Sequence, residues 1–244
     1  MKKHRSFVQS VGVVSTPHSS AGRHSPSKVE GGTRTDIQNR RTGVKMPLKQ
    51  SLLKIIKQEN DCTAYYETGL NAGDSFITAL GLGFEKLIGV EINSHWTYRM
   101  HCMLRPLTQI DQVNLITGDS AIVEPEMVDK MLAGRKAIFF LDAHLDSGLD
   151  SALATPQSTC PLEYEMNMIS QLARKDHVLL IDDLRILTDT KHGAWQTDEY
   201  NVPSQRFPLE KITELVKSVN PDYQMSRVTG DDRFPEDVLY CRVA

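Results

Sequence analysis

From residue 47 onward, short apolar runs alternate with helix-patterned segments, and this alternation constrains the fold more than any other feature of the chain. The runs "TAYYET", "KLIGVEI", "VNLIT", "AIFFL", "HVLLI" and "DVLYCRV" are too short for helices and rich in β-branched or aromatic residues, so they read as strands. "PLKQSLLKIIKQEN" reads as a helix opened by Pro47, with Leu48, Leu52, Ile55 and Ile56 on one face. "DSFITALGLG", "SHWTYRMHCML" and "EPEMVDKMLAG" are helical in pattern, the first and third stopped by glycine. "PLEYEMNMISQLA" carries Leu162, Met166, Ile169 and Leu172 at helical spacing, and "PLEKITELVKSVNP" is a helix stopped by Asn220 and Pro221. Strands that alternate with helices pair in parallel through crossover connections. Continuous apolar strands, rather than alternating ones, mean that both sheet faces are covered. The expected fold is therefore α/β and doubly wound.

Residues 46–244 fit one domain, and 40% hydrophobic with 24% charged residues is a globular composition. Residues 1–45 are a different material. They hold nine Lys and Arg against Glu30 and Asp36, with Ser, Gly and His between them and no helical or strand period. This basic tail is expected to be disordered. A signal peptide is opposed by Gln9 and Ser10, which interrupt "FVQSVGVV". A transit peptide suits the Arg- and Ser-rich composition better, and a basic arm for an anionic surface is a further reading. An extension without a role of its own, ahead of Met46, is the favoured one.

The whole chain carries −3, which gives no nucleic-acid footprint. The four cysteines are widely spaced with no CxxC, so a disulfide framework is not expected and a reducing, cytoplasmic setting is. No apolar run approaches the ~18 residues of a membrane span. Self-association is left open.

In an open α/β sheet, ligands bind beyond the carboxyl ends of the strands. Five consecutive strand ends here deliver an acid. "ETGLNAGDS" brings Glu67, Gly69, Asn71, Gly73, Asp74 and Ser75; the second strand ends in Glu91, 22 residues past Gly69. "GDS" brings Asp119 and Ser120, "DAH" brings Asp142 and His144, and "DD" brings Asp182 and Asp183. Asp74 and Asp119 also suit helix caps. A carboxylate at the position of Glu91 suits two ribose hydroxyls, because it accepts both hydrogen bonds. G-x-G-x-x-G is absent, which counts against a nicotinamide site.

The segments "YYETGLNAGDS", "LIGVEIN", "LITGDSA", "FFLDAH" and "LLIDDLR" resemble the successive motifs of class I S-adenosylmethionine-dependent methyltransferases, over roughly Ala64 to Val243. The match is closest to small-molecule enzymes similar to the macrocin O-methyltransferases. Asn71 stands where the family's E/D-x-G-x-G-x-G motif has its middle glycine. The resemblance implies a mostly parallel seven-stranded sheet of the Rossmann-like methyltransferase kind. It implies that Glu67, Gly69, Asn71, Gly73, Ser75, Glu91, Asp119 and Ser120 bind S-adenosylmethionine. Of these, Glu67 and Gly69 would flank the methionine part, Glu91 would hold the ribose and Asp119 would lie near the adenine amine. The related sugar enzymes use aspartates at such strand ends for a divalent metal. On that pattern Asp142, Asp182 and Asp183 would hold Mg²⁺ or a similar ion, and the acceptor would be a small-molecule hydroxyl. Asp142 and His144 are the catalytic candidates. His144 is a possible base by its ordinary pKa near 6.5, although a histidine bonded to a neighbouring loop explains it as well. Consecutive strand residues face opposite ways, so Asp182 and Asp183 can both ligate only if the strand ends there.

Two alternatives stand beside this. "DAHLD" matches the D-A-H-x-D signature of the arginase and agmatinase metallohydrolases, but no G-G-D-H-S precedes it and no S-x-D-x-D-x-x-D-P follows. A non-catalytic cofactor-binding protein is the other, motivated by Asn71. The segments 146–160 and 185–207 read as long binding loops, the second with Trp195 and Tyr200 to stack on a substrate or anchor the loop.

Overall fold

The computed structural model describes residues 48–107, 111–143, 160–188 and 208–244. The basic tail, Pro47, His144, Trp195 and Tyr200 lie outside these residues, as does most of both long loops.

Seven strands form one sheet: β1 (Ala64–Thr68), β2 (Lys86–Glu91), β3 (Val113–Thr117), β4 (Ala137–Leu141), β5 (Val178–Ile181), β6 (Tyr223–Val228) and β7 (Val238–Val243). Their order is β3-β2-β1-β4-β5-β7-β6. The first five are parallel, and β7 runs antiparallel between β5 and β6. The expected doubly wound, mostly parallel sheet is present. The chain steps outward from β1 to β3 and returns to β4 on the other side of β1. The topological switch point therefore lies between β1 and β4, where such a sheet opens a crevice.

Among the described residues, seven helices cover the faces: α1 (Gln50–Glu59), α2 (Asp74–Gly81), α3 (Ser94–Leu104), α4 (Pro125–Leu132), α5 (Leu162–Gln171), α6 (Leu184–Thr188) and α7 (Leu209–Val219). On one face Leu53 and Ile56 of α1, Phe76 of α2 and Met100 of α3 pack with Tyr65, Leu87, Phe140 and Leu180. On the other, Val128 of α4, Met166 and Ile169 of α5 and Val216 of α7 pack with Tyr66, Ile88, Phe139 and Leu179. Every residue of β1, β4 and β5 is buried, which is the physical reason their sequences do not alternate. Each large apolar side chain so placed contributes about 1.5–3 kcal/mol.

Three local expectations are corrected. Helix α1 begins at Gln50 rather than at Pro47; of the expected face, Leu48, Leu52 and Ile56 pack into the core, joined by Leu53, while Ile55 is 51% exposed. Strand β6 is absent from the apolar runs because this outer strand, YQMSRV, is mostly polar, with Tyr223 its one fully buried residue. The segment after β5 opens with helix α6 rather than with loop; the N–H of Leu187 bonds the carbonyl of Asp183.

All four cysteines are free thiols, as expected from their spacing. Burial pushes Cys62, Cys160 and Cys241 up to about 12, so these are inert core groups. Among the described residues, no helix is long and apolar enough to cross a membrane.

Candidate functional site

The strand register carries the acids to one edge. Glu67 lies opposite Gly89 of β2 and Phe140 of β4, and Phe140 lies opposite Leu180 of β5. Two residues further along the same pleat, Asp142 follows Phe140 and Asp182 follows Leu180. Neighbouring strands are about 4.8 Å apart, so Asp142 and Asp182 stand level at the ends of β4 and β5, with Glu67 one pleat repeat back on β1 and on the same face of the sheet. Glu67 and Asp142 are each 2% exposed.

The phenol of Tyr65, on the same pleat as Glu67, lies beneath these acids. Burial, and then Glu67 with Asp142 and Asp182 behind it, push its hydroxyl well above the usual tyrosine range. The proton therefore stays on the phenol beside three carboxylates. Tyr65 is absent from the residues picked out in the sequence because it reads as one more apolar strand position.

The loop from β1 to α2 is built on backbone that side chains oppose. Gly69 has φ +70°, and a Cβ on it would stand 2.3 Å from the carbonyl oxygen of Asp142. Only glycine lets the first loop touch the end of β4 this closely. Gly73 has φ +84° and caps α2, and a Cβ there would meet the sulfur of Met100 at 2.1 Å. Asn71 sits in the left-handed region at φ +46°, a conformation that asparagine tolerates better than most residues. The middle position of the family motif thus keeps a glycine-like backbone without glycine.

Glu91 ties this loop to β2. Its Oε2 accepts the N–H of Asn71 and its Oε1 the N–H of Asn93, both at 2.8 Å. Its own carbonyl accepts the N–H of Gly118, which begins the loop after β3. Three strand ends are thereby joined through one buried glutamate, 5% exposed. An ionised carboxylate has about four acceptor positions, so a pair of hydroxyl donors in addition to two N–H groups is within its chemistry.

Other expected positions have structural duties. Asp119 caps the 3-10 turn Ser120–Ile122, its Oδ1 accepting the N–H of Ala121 at 2.9 Å. Ser75 accepts the N–H of Leu48 at 3.0 Å and so fastens the segment before α1 to the first turn of α2. Thr68 accepts the N–H of Asp142 at 3.3 Å and orients that residue.

At the end of β5, Asp182 and Asp183 can turn toward the same place, since the strand stops at Ile181 and Asp183 adopts φ +55°. Among the described residues, the carboxylates that converge here are Asp182, Asp183 and Asp237, with ligand atoms within 4.8 Å of one another. Asp142 is not among them; its place in the expected metal set is taken by Asp237, which immediately precedes β7. Asp237 is out of reach of a sequence motif because 52 residues separate it from Arg185, the partner that brings it in. That partner also changes the chemistry. One guanidinium nitrogen of Arg185 contacts Asp183 Oδ1 at 2.5 Å and also contacts Asp237 Oδ2. The acids form an ion-pair cluster with a cation of the chain's own, and they do not fit a divalent ion as they stand.

No family profile and no curated relative matches the sequence. Solved structures do resemble it. A candidate caffeoyl-CoA O-methyltransferase from Staphylococcus aureus is 16% identical, with a TM-score of 0.50 over 86% of this chain and 90% of that one. An O-methyltransferase from Bacillus cereus, in complex with S-adenosylhomocysteine, is 14% identical, with a TM-score of 0.49 over 86% and 88%. A candidate O-methyltransferase from Klebsiella pneumoniae is 13% identical, with a TM-score of 0.48 over 85% and 86%. The Staphylococcus likeness is one of fold, and with the strand order it gives this chain the Rossmann-like methyltransferase fold.

Proposed function

We propose that the protein transfers the methyl group of S-adenosylmethionine to a hydroxyl of a small-molecule acceptor. The observation that supports this reading best is Glu91, a buried carboxylate at the end of β2. The β1–α2 loop and the segment before α3 grip it, and it is placed to take a ribose diol. Gly69 and Asn71 bring that loop's backbone to the switch-point crevice, where Glu67 lies for the methionine part of the cofactor. The turn at Asp119 and Ser120 borders the crevice on the β3 side, where the adenine would lie.

When bound, S-adenosylmethionine supplies an electrophilic methyl on a sulfonium. The chain's part is to hold an acceptor hydroxyl in line with that methyl and to keep negative charge beside it. Glu67 and Asp142, both buried on the face that carries Tyr65, bring carboxyl groups to that place. Asp142, held by Thr68, is the residue assigned to receive the hydroxyl proton. His144 stays a proposal for the same task. Metal assistance is not part of this reading. The metallohydrolase alternative gains no support, since the solved structure whose fold this chain shares at a TM-score of 0.50 is a candidate O-methyltransferase. A reducing cytoplasmic setting and a small-molecule partner are proposed with it, with self-association left open.

S-adenosylhomocysteine, the product of any such transfer, tests the reading. At about a hundred times its dissociation constant it stabilises a protein by about 2.7 kcal/mol. For a chain of this length that is a rise of roughly 5–10 °C in unfolding midpoint. A rise with NAD⁺ in place of S-adenosylhomocysteine would overturn it.

A further inference from the structure

We infer that Arg185 is the resident cation of the carboxylate cluster at the end of β5, occupying the place that a divalent metal would otherwise take. Its position is fixed by several contacts at once. The backbone N–H of Arg185 bonds Asp237 Oδ1 at 2.7 Å, and its guanidinium contacts the other oxygen of the same carboxylate. The same guanidinium nitrogen contacts Asp183 at 2.5 Å, so it lies between two of the three acids. The guanidinium carbon stacks 3.6 Å from the centre of the Phe234 ring. The N–H of Leu184 bonds the carbonyl of Asp237, which clamps the start of α6 to the residue before β7.

This arrangement does two things at once. It gives Asp183 and Asp237, which would repel each other in a crevice of low dielectric, the opposite charge they need. It also fills the gap with a planar donor whose hydrogen atoms, rather than lone pairs, point at the oxygens. A magnesium-like ion requires oxygen ligands at about 2.1 Å in octahedral array, and a fixed cation among those ligands repels it. Arg185 is thus a positioning residue: it orders the β5 end and the approach to β7 without metal. The consequence that methyl transfer proceeds without a divalent ion rests on the function proposed above; the metal-binding test does not.

The experiment is titration of the full chain with Mn²⁺, followed by loss of the free-ion paramagnetic resonance signal, for wild type, Arg185→Lys and Arg185→Met. Wild type and Arg185→Lys are expected to bind only at millimolar Mn²⁺ or not at all. Arg185→Met, with three acids and no internal cation, is expected to bind at least about tenfold more tightly. Adding Asp237→Asn to Arg185→Met should abolish that gain. Micromolar binding by wild type that Asp183→Asn removes would overturn the inference, and needs no folded Arg185 variant. Folded Arg185→Met with no gain would overturn it equally.

Discussion

At the scale of single residues, Glu91 joins structure to function most tightly. It accepts two backbone N–H groups at 2.8 Å, from Asn71 and Asn93, and it closes the loop that should receive the cofactor. Glu91→Gln keeps the shape but replaces one accepting oxygen with a donor that faces an N–H. Leaving a buried N–H unmatched costs on the order of 1–3 kcal/mol, so urea denaturation should show a loss in that range. Losing one of two acceptors for a diol should weaken S-adenosylhomocysteine at least about tenfold. Unchanged affinity in a folded Glu91→Gln protein would remove Glu91 from the site. These residues were legible in the sequence because the motif is local: Glu67, Gly69, Asn71 and Gly73 lie within one loop, and Glu91 ends the next strand. Arg185 and Asp237 were not legible, because their pairing exists only once β7 has inserted beside β5. Tyr65 was hidden differently, since a phenol inside an apolar strand looks like core until the acids around it are seen.

At the scale of elements, the pattern of apolar runs located most strands and helices to within a residue or two. The failures are instructive. A single buried tyrosine cannot announce an outer strand such as β6. In the α1 segment the inward stripe takes in Leu53 beside the expected Leu48, Leu52 and Ile56, and leaves Ile55 exposed. One element end shows a cost that sequence alone does not reveal. Helix α4 terminates at Ala133, an exposed residue in the left-handed region at φ +49°. A side chain there opposes the backbone and contributes no packing. Ala133→Gly is therefore expected to stabilise the protein by about 0.5–1 kcal/mol, the reverse of the usual effect of glycine. Chemical denaturation measures it; destabilisation would mean that the turn after α4 is held by something other than its backbone conformation.

At the scale of the whole molecule, stability should depend on pH through one core histidine far from the site. His177, at the start of β5, accepts the N–H of Ala137 on Nδ1 at 3.1 Å and packs 5.0 Å from the Phe139 ring. Burial lowers it from 6.5 to about 4, so the fold holds it neutral. The folded value lies below the unfolded one, so the stability it contributes is fully present above about pH 6.5. That stability is lost as pH falls from 6.5 toward 4, because the unfolded chain takes up the proton first. Between pH 7 and 5 the loss is on the order of 2 kcal/mol. His177→Gln, which keeps an acceptor but does not titrate, should show a flatter fall over that interval. An equal fall in both proteins would place the pH dependence elsewhere.

The same scale holds the central claim, that five strand ends of a Rossmann-like methyltransferase sheet assemble a cofactor site with its own internal cation. Calorimetric titration of S-adenosylhomocysteine into protein stripped of metal with a chelator tests it most directly. A micromolar dissociation constant, about −8 kcal/mol, unchanged when Mg²⁺ or Mn²⁺ is restored, is the predicted result. No heat of binding without metal, together with marked stabilisation by Mn²⁺ alone, would contradict both the cofactor assignment and the role given to Arg185.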